Sequence, residues 1–334
     1  MLVPAYNEAS TIEATLASIF GQTHPPDEVI VIDDCSTDGT GEIARRCGAR
    51  VVRTPQNTGA KGQALNAGLQ HATSEIVVTI DADTILARDA LSHILEPLAD
   101  PTVAAACGYM LPQRLESTWQ RGRYIEYMAS LTFYKTIQNG MRALVVLSGC
   151  FTAFRRDVLL RLGGFKGLTI GEDLDMTWEL HINGERMVYT PNAVCYPLDP
   201  GPLRQYYAQV KRWAHGFFQN IAVHRGALFR NRRLGLLIVA SLLDIMTIPA
   251  YLVGAAIATY LWNWQALLIL LALEFATIFI PTAIGAWRIG QLKRAVLFFP
   301  FVWQTRILCL WIFWTAMIQV LVLGRRLHVW EKGH

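Results

Sequence analysis

No CxxC pair, no histidine pair at zinc-binding spacing and neither of the common glycine-rich phosphate loops occurs in this chain of 334 residues. The six cysteines, Cys35, Cys47, Cys107, Cys150, Cys195 and Cys309, stand far apart. That spacing speaks against a zinc knuckle and predicts reduced, buried thiols on a cytosolic domain. Without G-x-x-x-x-G-K-[ST] or G-x-G-x-x-G, P-loop nucleotidases and dinucleotide dehydrogenases are disfavoured. Charge is also scarce: 17% of residues are Asp, Glu, Lys or Arg, against about a quarter in a soluble domain. Only Leu2 and Val3 separate Met1 from Pro4, so no signal peptide is expected and the first strand reads as shortened.

What replaces charge is apolar sequence, 52% of the chain, with a mean hydropathy of +0.28. It is concentrated from Leu234 to Leu323. The economical division is a cytosolic α/β domain over 1–225 and a membrane or interfacial helical region of about three spans over 226–334. The net charge is only +4, and many of the basic residues (Arg225, Arg230, Arg232, Arg233, then Arg288, Lys293, Arg294) flank the apolar runs. They read as topology determinants and not as a nucleic-acid surface. Clear spans are expected at 234–262 and 266–287. Asp244 and Pro249 interrupt the first and Glu274 the second; ionisable residues there pair with another helix or serve function. Gln304, Thr305 and Arg306 divide the last apolar stretch, which predicts an interfacial segment over 295–303 and a third span over 307–323. Positive-inside then places Arg230–Arg233 and Lys293–Arg294 in the cytosol. It also puts Arg325 and Arg326 outside, against the same rule, unless the last segment is re-entrant.

The first hundred residues alternate strand and helix signals. EVIVI (28–32), ARVVR (49–53) and EIVVTI (75–80) read as strands, and 10–20, 39–47 and 61–72 as helices. The alternation predicts βαβ units in a mainly parallel sheet, with ligands beyond the carboxyl ends of the strands. Three strand ends carry polar clusters: PAYNEAS (4–10), DDCSTDGT (33–40) and DAD (81–83). Each alone reads equally well as a turn or helix cap, with Ser10, Ser36 and Asp38 the capping candidates. Together at one sheet edge they read as a site.

Carboxylates spaced D-x-D at a strand end suit Mg²⁺ or Mn²⁺, with substrate phosphate completing the shell. A diphosphate leaving group needs such a cation. Lys61, in a G-A-K-G turn opening a helix, adds a positive contact. Glu172 and Asp173 follow about ninety residues later. A carboxylate not consumed by metal suits removal of an alcohol proton, though the pair also favours a helix N-terminus. Next to the membrane, QVKRW (209–213) reads as a positive-inside anchor or as part of the site.

In this order PAYNE, DDCSTDGT, DAD, GED and QVKRW resemble the family-2 glycosyltransferases of GT-A fold. The resemblance is to the membrane-embedded processive branch that makes poly-N-acetylglucosamine, hyaluronan, chitin and cellulose, and most of all to poly-β-1,6-N-acetylglucosamine synthases. By motif it covers residues 1 to about 220. It implies that Pro4, Tyr6 and Glu8 line the nucleobase pocket, with Asp34, or its neighbour Asp33, binding uridine. It places Lys61 near the nucleotide, Asp81 on the donor, and Asp83 on Mg²⁺ or Mn²⁺. Asp173 would be the general base with Glu172 beside it. Gln209, Arg212 and Trp213 would close over diphosphate and acceptor, Arg212 answering the leaving-group charge and Trp213 offering a flat face to a sugar. Ser148, Gly149 and Cys150 would form the acceptor floor. The implied reaction inverts the anomeric carbon, moving N-acetylglucosamine from UDP-GlcNAc at the plasma membrane onto a growing chain.

Relatives usually carry membrane helices ahead of the catalytic domain, and none precedes it in this sequence, so a complete translocation pore would need either missing residues or a partner such as an accessory subunit. Hyaluronan-, chitin- or cellulose-type synthesis remains open. So do single transfer onto a lipid or protein acceptor and a non-catalytic nucleotide-sugar-binding role.

Overall fold

The computed structural model describes residues 1–325 and Leu327. Eight strands form one sheet: β1 (Leu2–Ala5), β2 (Ile30–Asp33), β3 (Arg50–Arg53), β4 (Ile76–Ile80), β5 (Ile85–Leu86), β6 (Val103–Met110), β7 (Phe151–Arg155) and β8 (Arg186–Tyr196). Their order is β3-β2-β1-β4-β7-β6-β8-β5. The βαβ half, β3 to β4, is parallel as expected. The other half is mixed: β7 runs antiparallel to β4 and β6, β5 antiparallel to β8, and β6 parallel to β8.

The central strands are apolar at successive residues because both faces are covered. Leu2, Ile30, Ile32 and Val77 face one core, shared with helices Lys61–Leu69 and Thr118–Ala129. Val3, Val31, Val78 and Ile80 face the other, shared with helices Ile12–Phe20 and Ala90–Leu95. Register sets the working edge. Ala5 pairs with Asp33, so the loops after β1 and β2 leave side by side. Ile80 pairs with Phe151 across an antiparallel join, so the lead-in to β7 arrives where β4 ends.

Helix Leu203–Arg230 leads out of the sheet domain toward two long apolar helices, Arg232–Tyr260 and Trp264–Arg288. By length and composition these and the stretch Leu292–Val322 could each cross a membrane. Leu236, Val239, Leu243, Leu268 and Leu271 on the first two are largely exposed, as lipid-facing residues are. Their ionisable residues pair between helices: Arg306 Nε lies 2.8 Å from Glu274 and its Nη2 3.8 Å from Asp244.

The last stretch differs from its sequence reading. No break falls at Gln304–Arg306, because Thr305 is buried against helix Thr118–Ala129 and Arg306 is held by Glu274. The interruption comes earlier, as a 3₁₀ turn at Phe299–Phe301 around Pro300, which has no N–H to give a helix. Helix Val302–Met317 then runs along helices Leu203–Arg230 and Thr118–Ala129. Both ends of the stretch touch the sheet domain and its outgoing helix. Tyr124 Oη donates to Gln291 Oε1 (2.6 Å), and Gln219 Nε2 donates to the Leu327 carbonyl (3.0 Å). Of the two readings for Arg325, outside or re-entrant, this contact fits the second: the chain there lies beside helix Leu203–Arg230. Arg326, also expected outside, lies beyond the described residues.

Gly122 is where this helix comes closest. A Cβ there would collide with the Thr305 methyl and stand 2.8 Å from the Phe301 carbonyl oxygen. Gly122→Ala should cost about 1–3 kcal/mol through overpacking. The measurement is the melting temperature in detergent, which should fall.

Candidate active site

The carboxyl ends of β1 and β2 are tied together by side chains. Asn7 and Cys35 both hold left-handed backbone, at φ 55° and 63°. Asn7 N–H donates to Ser36 Oγ (3.0 Å), its Oδ1 accepts from Thr37 N–H (2.9 Å), and Asp38 accepts from Ala9 N–H (2.9 Å). Ser36 and Asp38 therefore lace the two loops together. Asp33 is wholly buried, 2.5 Å from Arg53, and caps Ser36 N–H. Asp34 is nearly as buried. Its oxygens accept from Thr54 Oγ1 (2.8 Å), Thr58 Oγ1 (2.8 Å) and Thr58 N–H (2.9 Å), holding the 54–58 loop over the edge. Pro4 lies on β1, Tyr6 is exposed just beyond it, and Glu8 is buried with Oε2 accepting from Thr11 Oγ1 at 2.8 Å.

At the end of β4 four separate motifs converge on one ammonium. Lys61 Nζ lies 2.5 Å from Asp81 Oδ1 and 3.3 Å from Glu172 Oε1, and donates to the Gly149 carbonyl at 2.9 Å. Gly149 N–H in turn donates to Asp173 Oδ2 (3.0 Å). Burial alone would lower the Lys61 pKa, but Asp81, Glu172 and Asp173 outweigh it and hold the ammonium well above its ordinary range. Asp173 moves the other way from a free carboxylate. Burial and then the neighbouring Glu172 push its pKa up, against the pull of Lys61. A proton acceptor poised in this way suits general base work.

Asp83 lies in the turn after β4, with Oδ1 accepting from Thr84 Oγ1 at 3.3 Å. Among the described residues no group of three or more His, Cys, Asp or Glu gathers as a metal cage. The donors available at 81–83 are carboxylate oxygens, which fit a hard divalent cation that takes its other ligands from phosphate. Of the expected acceptor floor, Gly149 faces Lys61 and Asp173 through its backbone. Ser148 Oγ accepts from the buried Lys135 (2.7 Å), and Cys150 turns its thiol into the core, 3.8 Å from Cys195. All six cysteines are free.

Residues 1–163 match the family model described as glycosyl transferase family 2. This half of the chain is a family-2 glycosyltransferase domain. The chain is 33% identical over 220 residues to the poly-β-1,6-N-acetyl-D-glucosamine synthase of Staphylococcus aureus, covering 64% of this chain and 53% of that one. The chain thus spans about half the length of that relative. To the synthase of the same name from Staphylococcus epidermidis it is 28% identical over 294 residues, covering 85% and 71%. A solved mannosyltransferase from Pyrobaculum calidifontis, in complex with GDP-Man and Mn²⁺, superposes with a TM-score of 0.64. The identity is 28%, over 89% of this chain and 85% of that one. The fold is GT-A.

Beyond the residues that match the family model, the QVKRW motif lies on helix Leu203–Arg230. The helix meets the GED turn backbone to backbone: a Cβ on Gly216 would stand 3.2 Å from Gly171 N and 3.3 Å from Gly171 Cα. Gln219 Oε1 accepts from Ile170 N–H (3.0 Å) and Asn220 Nδ2 donates to Thr169 Oγ1 (2.9 Å), fixing the join. Arg212 is partly buried, and Gln209 keeps a buried Oε1 with no partner among the described residues.

Trp213 is half-exposed, and its ring already carries a cation. The Arg123 guanidinium lies 4.6 Å from the ring centroids of both Trp213 and Tyr206. Arg123 also bonds Glu126 (2.8 Å) and lies 3.8 Å from Asp199. Burial pushes the Asp199 pKa up to about 6, against the pull of Arg123. Motif reading missed this cluster. Its only sequence signal is the pair Arg123 and Glu126, three apart on an aromatic helix.

Lys61→Met removes the cation that restrains the Asp173 pKa. That pKa should rise further, so the acid limb of the sugar-transfer rate profile should move to higher pH. An unmoved limb in the pH–kcat profile would separate Asp173 from the ionisation that limits turnover.

Proposed function

We propose that this chain is an inverting glycosyltransferase of the membrane surface that adds N-acetylglucosamine from UDP-GlcNAc to a growing β-linked polysaccharide. The observation that carries the reading is the convergence of Lys61, Asp81, Gly149, Glu172 and Asp173, from four motifs, within hydrogen-bonding reach at the strand ends. Residues 1–225 would be the catalytic domain, facing the cytosol at the plasma membrane, and the helices beyond it the membrane region.

Pro4, Tyr6, Glu8 and Asp34 line the nucleobase side, with Asp34 acting through the loop it holds. Asp81 and Lys61 orient the donor diphosphate. Asp83 would hold Mg²⁺ or Mn²⁺, whose charge counters that of the departing diphosphate. Asp173 takes the proton of the acceptor hydroxyl as its oxygen bonds to the anomeric carbon. The bond from that carbon to the diphosphate breaks, UDP leaves, and an α-linked donor gives a β-linked product. Arg212 and Gln209 meet the leaving-group oxygens, and the outer face of Trp213 meets the acceptor ring. Glu172 keeps Lys61 in place and raises the basicity of Asp173.

The two staphylococcal synthases support the polymer reading. A second reading is single transfer onto a lipid acceptor; beside it stands the likeness to a mannosyltransferase, a name that implies no polymer, which extends over 89% of the chain against 64% for the Staphylococcus aureus synthase. Nucleotide release from membranes holding the chain separates them. The donors are UDP-GlcNAc, UDP-Glc, UDP-GlcA, UDP-GalNAc and GDP-Man, with and without chelator, and the products are sized. Long polymer from UDP-GlcNAc, lost on chelation, is expected; one-sugar products would favour the second reading. Asp173→Asn should lower kcat by roughly 10²–10⁴-fold while isothermal titration shows donor affinity unchanged. Full activity in that variant would remove Asp173 from the base role.

A further inference from the structure

The end of helix Glu172–Ile182 remote from the carboxylates borders a cavity of about 820 Å³, walled by His181, Gly184, His224, Asn231, Arg232 and Arg233. It lies where helix Leu203–Arg230 stops and the first long apolar helix, Arg232–Tyr260, begins. Most of its polar wall is already engaged. His224 Nε2 meets Asp175 Oδ1 at 2.6 Å, and Lys166 lies 2.8 Å from Glu179. His181 Nε2 bonds the Leu144 carbonyl (2.7 Å), and Asn231 caps Leu234 N–H while its Nδ2 donates to the His181 carbonyl. The nearby carboxylates therefore have cationic or imidazole partners. Arg232 and Arg233 are exposed, and neither forms an ion pair with another described residue. The uncompensated charge of the cavity is positive.

We propose that this cavity binds the phosphodiester headgroup of an anionic phospholipid. Its volume falls within the range of small-molecule sites, about 300–1,000 Å³, more than a bare phosphate ion fills. Guanidinium forks match phosphate oxygens in geometry as well as charge. What selects a lipid is the surface next to the arginines. Leu236, Val239 and Leu243 follow Arg232 on the same helix face and are all more than half exposed, so an acyl chain leaving the headgroup meets an apolar stripe. Basic pockets at the polar boundary of a membrane helix attract anionic lipid for this reason. The site differs from the nucleotide edge in every wall residue and does not depend on which sugar is transferred. It does share helix Glu172–Ile182 with that edge, so a bound headgroup would sit at one end of the helix and Asp173 at the other.

The test is native mass spectrometry of the full chain, released from nanodiscs of mixed phosphatidylglycerol and phosphatidylcholine. The unmodified chain should retain phosphatidylglycerol roughly tenfold in preference. Arg232→Gln with Arg233→Gln should abolish the preference. So should Val223→Trp, which fills the cavity from its wall and leaves both arginines in place. No preference in the unmodified chain would overturn the proposal. A preference that survives Val223→Trp would overturn it too, because the arginines would then act as diffuse surface charge. Soluble glycerophosphoglycerol is the competitor: displacement only far above the lipid concentration supports a lipid source, and displacement at comparable concentration overturns it.

Discussion

One buried ammonium holds this site together. Without Lys61, Asp81, Glu172 and Asp173 would bring like charges to one sheet edge, an arrangement that repels and drives carboxylates to take up protons. With it, three chain segments separated by up to about a hundred residues can end at one place. The same ammonium fixes the β7 lead-in through the Gly149 carbonyl, and that glycine's N–H orients Asp173. The electrostatic need for a cation and the geometric need to align Asp173, the proposed base, are met by a single side chain. The sheet supplies the rest, because an antiparallel β7 beside β4 is what delivers Gly149 to that edge.

A second cation does comparable work on the membrane side. Arg123 is sandwiched between Tyr206 and Trp213, and Cys309 of the last apolar stretch lies 3.4 Å from the Tyr206 hydroxyl. Trp213 is thus braced by a helix of the sheet domain and by the last apolar stretch together. One of its faces carries the Arg123 guanidinium, so the sugar ring of the proposed reaction would meet the other.

Much of this was legible in the residues. Apolar runs bounded by PAYNE, DDCS and DAD placed three strands and their carboxyl ends, since the chemistry of a parallel edge leaves a polar signature where each strand stops. Spacing could not show that Asp33 and Asp34 spend their oxygens on Arg53 and on the 54–58 loop, because a carboxylate that builds a loop and one that faces ligand look alike in sequence. Cys150 was hidden for a similar reason: small residues before a strand do not reveal which one turns inward. The last apolar stretch misled because hydropathy records how apolar a segment is and not what covers it. Protein and lipid are equally good apolar partners, and only the contacts to Tyr124, Gly122 and Gln219 distinguish them.

The Gly171–Gly216 contact has a mechanical consequence. Two helices, one carrying Asp173 and the other the QVKRW motif, touch through backbone with no side chain between them. Side chains can change rotamer and let neighbours drift; peptide groups at van der Waals distance cannot. On the proposed reading this contact fixes the spacing between the base, Asp173, and the motif that meets the acceptor. In the proposed reaction a product chain would then advance by the sugar sliding or turning, with the two helices held at constant spacing.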